Sequence, residues 1–117
     1  MSKAAPTPCT TFDLEAEAKA LYDSALYRER GQNSKTLLKL PDLRLVLIAL
    51  KSGHQIQRHQ TDLRLNLTVF AGHVQLTVDG ETIDLPEGRV MVLDPTIPHD
   101  VTAQEDSVVL LSLSAVA

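Results

Sequence analysis

The residues with the most chemistry to offer are four histidines, at positions 54, 59, 73 and 99. Imidazole is the commonest metal ligand and also holds or passes protons near neutral pH. His54 and His59 share the stretch GHQIQRHQTDLRLNLTVFAG, residues 53 to 72, whose second half alternates apolar and polar side chains in the manner of a strand. His59, Thr61 and Leu65 have one parity in that alternation, so they are expected on one face of one strand. Gln57 joins them if the strand begins early enough, and its amide oxygen is a weak ligand. Structural zinc wants four protein ligands, and catalytic zinc or non-haem iron about three. A hydroxyl at Thr61 and a hydrocarbon at Leu65 fall short of that set. His54 falls on the opposite parity, and His73 faces away from Val74, so both read as polar surface or loop residues.

Other chemistry is sparse. The only cysteine, Cys9, sits in a Pro/Thr/Ala-rich tail. Ser107, Ser112 and Ser114 have no base at a suggestive spacing, and neither a glycine-rich phosphate loop nor a CxxC pair is present. Asp94, Asp100, Glu105 and Asp106 read as a solvated rim near His99.

The elements that must carry these residues follow from periodicity. Leu14, Ala18, Leu21, Tyr22, Ala25 and Leu26 recur at helical spacing, with Thr11 or Asp13 as N-cap and Gly31 as the stop. Beyond Ser34 the period becomes two. In residues 43 to 50, Leu43, Leu45, Leu47 and Ala49 share one face and Val46, Ile48 and Leu50 the other, so the second half is apolar on both. Such a strand is covered on both sides. We expect a second subunit on one of them, hence a homodimer through residues 43–50. From residue 59 onward one face reads as core. Val74, Leu76 and Val78 point inward, Asp79-Gly80 closes a hairpin, and further strands follow near 81–85, 89–93, 99–103 and 107–114. Short strands at regular spacing read as a sandwich or barrel. The expected organisation is a disordered tail over 1–11, a helix and linker over 12–35 and a barrel over 36–117.

With 117 residues the chain fits one domain, and 44% hydrophobic content suffices for a core. A net charge of −4 without a basic cluster argues against a nucleic-acid partner, and 3% aromatics against a base-stacking platform. No membrane-spanning run and no signal-peptide pattern appear, so a cytoplasmic location is expected.

The punctuation resembles that of small single-domain cupins. Their first motif runs Gly, five residues, His, one residue, His, three or four residues, Glu, six residues, Gly; Gly53, His59 and Gly72 fall in place, with Thr61 and Leu65 at the second His and the Glu. The second motif runs Gly, five residues, Pro, one residue, Gly, two residues, His; Gly88 and His99 match, while Asp94 and Thr96 replace the Pro and Gly. The resemblance implies an all-β fold, a cupin-type double-stranded β-helix (jelly-roll barrel) with one N-terminal α-helix. It also implies a pocket of Gln57, His59, Thr61, Leu65 and His99 over an apolar floor, in which His59 and His99 are the candidate metal ligands. Two imidazoles suggest no tightly bound cofactor, with Zn, Ni, Fe or Mn as the ions such a pair would take. The expected function is a small-molecule binding or sensing module with a degenerate metal site. The alternative is a metal-dependent dioxygenase or isomerase using His59 and His99.

Overall fold

The structure is a computed structural model that describes residues 8–59 and 61–116; the side chains of residues 57–59 lie outside the description. Two short helices stand where one is expected: α1 (Leu14–Tyr22) and α2 (Ala25–Arg30). Asp13 caps the first, its Oδ1 accepting from the Ala16 amide at 3.1 Å. Ser24 separates them. Its backbone is extended, its hydroxyl donates to the Leu21 carbonyl at 2.6 Å, and the same oxygen accepts from the Tyr27 amide at 3.2 Å. One serine thus ends one helix and caps the next. Gly31 closes α2 in the left-handed region, φ 78°.

Among the described residues nine strands follow: β1 (Gln32–Lys39), β2 (Leu43–Leu50), β3 (Gln55–His59), β4 (Arg64–Ala71), β5 (His73–Val78), β6 (Glu81–Pro86), β7 (Val90–Leu93), β8 (His99–Ala103) and β9 (Ser107–Ser114). β1 starts inside the segment expected as linker. Its polar residues Gln32 to Ser34 form an edge strand paired only with β2, where polar side chains are tolerated. The sheets have orders β1-β2-β9-β4-β7 and β3-β8-β5-β6, with every pair antiparallel.

The connections define two ends. Those joining β2 to β3, β4 to β5, β6 to β7 and β8 to β9 are short crossings from one sheet to the other, and they close one end. The other end carries loops 61–63 and 94–98, the β5–β6 hairpin turn and the β1–β2 turn. Between the sheets lies a core that includes Ile48, Leu50, Leu65, Leu67, Val69, Val74, Leu76, Val101 and Val109.

The two-sided apolarity of β2 has an internal cause. Ile48 and Leu50 face the barrel core, whereas Leu47 and Ala49 pack under Ala18 and Leu21 of α1 and Tyr27 of α2. Leu47 and Ala49 are fully buried within the chain. The surface on which a homodimer through residues 43–50 was expected is therefore occupied over that half by the chain's own helices.

A correction concerns residues 59 to 69, expected as one strand. They are the end of β3 in one sheet, a loop, and β4 in the other. The alternation in Leu65, Leu67 and Val69 holds, and all three face the core. It does not extend back through the loop to Thr61 and His59.

Candidate functional site

The site is assembled at the open end. His99 is the first residue of β8 and is 6% exposed. With Val101 and Ala103 it forms the inward face of that strand, whose burial alternates strictly. Its Nδ1 lies 3.1 Å from the Ile97 carbonyl. A carbonyl only accepts, so Nδ1 is the donor in that bond. The β3–β8 register sets His59 directly opposite His99. The pairing of the two histidine positions is thus a property of the ladder. The side chains of His59 and Gln57 lie outside the described residues. A register shift between Ile56 and His59 also resets the alternation, so parity does not carry from His59 back to Gln57.

Thr61 lies in the loop between β3 and β4. Its Oγ1 accepts from the Leu63 amide at 3.2 Å and its carbonyl accepts from the Thr96 amide at 2.8 Å. That second bond ties loop 61–63 to loop 94–98, and Arg64–Asp94, at 2.8 Å, pins the same corner from outside. Leu65 is 2% exposed and packed into the core, so it closes the barrel beneath the site as hydrocarbon. Beside His99 opens a depression of about 250 Å³ lined by Thr77, Asp79, Gly80, Pro98, His99 and Asp100. Apart from His99, those lining residues were not singled out from sequence as a pocket. Asp79-Gly80 was legible as a hairpin turn, but its position beside His99 comes from the β5–β8 pairing of Val78 with His99. Asp100 Oδ1 is buried there without a hydrogen-bond partner.

The remaining histidines lie elsewhere. The His54 ring packs against Gly31, whose added Cβ would fall 2.3 Å from it. His73 Nε2 is 2.6 Å from Asp84 Oδ1 across the β5–β6 pair. That bond, with a weaker one from Gln75, holds the Asp84 carboxyl below its usual range. Neither histidine joins His99.

A family model described as a cupin domain matches residues 46–114. The chain belongs to the cupin family. Among solved structures it is similar to a conserved protein of unknown function from Streptococcus pyogenes, at 30% identity and a TM-score of 0.69 over 74% of this chain and 75% of that one. It is similar to KdgF from Halomonas sp., at 26% identity and a TM-score of 0.69 over 75% and 82%. It also shares its fold with a salicylate 1,2-dioxygenase from Pseudaminobacter salicylatoxidans, at 18% identity and a TM-score of 0.78; 88% of this chain spans only 34% of that enzyme. No curated protein matches the chain.

Cupins often hold a metal. Among the described residues no three His, Cys, Asp or Glu side chains come together. The two motif positions that would supply further donors are a loop hydroxyl engaged by Leu63 and a buried leucine. No helix among the described residues is long and apolar enough to cross a membrane.

Proposed function

We propose that this cupin binds a small molecule at the open end of its barrel without depending on a resident metal ion. The observation that carries the reading is His99: a buried, inward-facing imidazole hydrogen-bonded to the Ile97 carbonyl, which also lines a depression with Thr77, Asp79, Gly80, Pro98 and Asp100 at the same end of the barrel. The lining of that depression is mainly polar, Thr77, Asp79, His99 and Asp100 among its six residues, and a concave site with several fixed polar groups can orient a small polar molecule. The described residues of the site pair no nucleophile with a base, and the proposal is for binding or sensing. A cytoplasmic place for that role belongs to the same proposal.

The test is a thermal-shift and amide-NMR screen of small organic molecules in metal-free buffer, on untagged protein. Binding should raise the melting temperature and move amides in segments 61–65, 77–80 and 94–100. Protein as purified should carry far less than one equivalent of any divalent metal. A tightly held stoichiometric ion, or ligand-induced shifts confined to the helix side, would refute the reading.

A further inference from the structure

We propose that Arg44 is the anchor for the carboxylate of an organic acid bound at this open end; the proposal rests on the small-molecule reading above and names its ligand class. Arg44 is the second residue of β2 and lies opposite Leu113 of β9. Leu113 is opposite Leu65 of β4, and Leu65 is opposite Leu93 of β7. Directly opposed residues of antiparallel strands share a face. Leu113, Leu65 and Leu93 are all in the barrel core, so Arg44 belongs to the interior face, in the layer nearest the open end. β2 connects directly to β3, whose far end carries His59 opposite His99. The guanidinium and the histidine positions therefore belong to the same mouth.

Among the described residues Arg44 has no ion-pair partner. Its Nε is buried without a hydrogen-bond partner, and the ion pairs among the described residues are Lys35–Glu17, Arg64–Asp94 and His73–Asp84. Arg64, on the outer face of the same sheet end, shows the ordinary outcome, an arginine paired with a carboxylate. A guanidinium stays charged at any physiological pH and carries five donors in a planar fork. An apolar face is an unfavourable place for it unless an anion arrives to be bound. The fork matches a carboxylate in two parallel hydrogen bonds. The leucines beside it suit a hydrocarbon body, and a single guanidinium balances a single negative charge. With a net charge of −4 the molecule as a whole does not draw anions in, so capture is local to this side chain.

The experiment compares benzoate, cyclohexanecarboxylate and hexanoate with their primary amides. Ligand-detected NMR and thermal shift would be read in metal-free buffer on the wild type, Arg44→Gln and Arg44→Lys. The acids should bind at the open end, and their amides about tenfold or more weaker. Arg44→Gln should lose the acids by a similar factor while melting, without ligand, no lower than the wild type. Arg44→Lys should keep part of the affinity. Acids and amides binding alike, unchanged acid binding in Arg44→Gln, or sulfate competing as well as the acids would overturn the organic-acid assignment and leave the small-molecule reading standing. A marked loss of melting temperature in unliganded Arg44→Gln would also overturn it, making Arg44 a structural residue. Failure of both acids and amides to bind would count against this inference and the reading beneath it.

Discussion

Thr96 has a φ of 70°, in the left-handed region, although it is β-branched. It occupies the position where the second cupin motif carries glycine, and the backbone conformation explains why glycine suits it. Its amide makes the 2.8 Å bond to the Thr61 carbonyl that joins the two loops of the open end, so the conformation is held in place at a cost of about 1–3 kcal/mol. Thr96→Gly should therefore raise the melting temperature by roughly 2–5 °C in calorimetry, after the larger chain entropy of glycine is deducted. Thr96→Ala, which keeps the strain, should not. A lower melting temperature for Thr96→Gly would mean the threonine side chain contributes more than the strain costs. The same logic explains what the sequence made legible. Gly72 has a φ of 90°, and a Cβ there would lie 2.4 Å from the Asp106 carbonyl oxygen. Backbone demands of that kind keep glycine spacing intact, so the fold could be read. Thr61 and Leu65 carry no such demand, and their positions could change from ligand types to others without disturbing a strand.

At the scale of elements, alternation was a reliable guide wherever a strand ran unbroken, as in Leu65, Leu67 and Val69 or Val74 and Leu76. It failed between residues 56 and 64, where a register shift and a loop intervene and no composition signal marks either. The helical segment was legible as helix, but the break was not, because Ser24 acts through two hydrogen bonds rather than through propensity. That break also positions Tyr27, which stacks edge-on with Tyr22 at 5.1 Å, lies under Lys51 and buries its hydroxyl without a partner. Burial, helped by the Asp106 and Tyr22 charges, pushes Tyr27 up to about 12. For a phenol, a raised folded value means that the folded state holds its proton more tightly. The associated stability is complete below the unfolded value of about 10. It drains away as pH climbs from there through about 12. Tyr27→Phe should be neutral or slightly stabilising at pH 7, by up to about 1 kcal/mol, since it removes an unsatisfied hydroxyl. It should also flatten the alkaline loss of stability. Urea melts at pH 7 and pH 11 would check both; a wild-type-like alkaline fall in Tyr27→Phe would assign that loss to another group.

Considered whole, the described residues form two cores that share strands β2 and β9. The larger lies between the sheets; the smaller, formed by Ala18, Leu21, Tyr27, Leu47, Ala49 and Val108, lies between the helices and the outer face of β2 and β9. A sheet face this apolar must be covered, and α1 and α2 cover it from within. The consequence is testable by uncovering it. Leu21→Asp places a charge at a position that is 4% exposed, with an expected cost of about 3 kcal/mol or more. Because Ile48 and Leu50 remain packed inside the barrel, the helices should undock while the sheets persist. Amides around His99 should then keep their shifts as those of α1 and α2 collapse toward coil values. The bared Leu47, Ala49 and Val108 should drive self-association, visible as a concentration-dependent rise in mass by light scattering. Ile48→Lys should behave differently, unfolding the barrel outright because its side chain points into the larger core. If Leu21→Asp instead lost helix and barrel signals in one transition, the two cores would be a single cooperative unit, and the helices would be part of what holds the open end in shape.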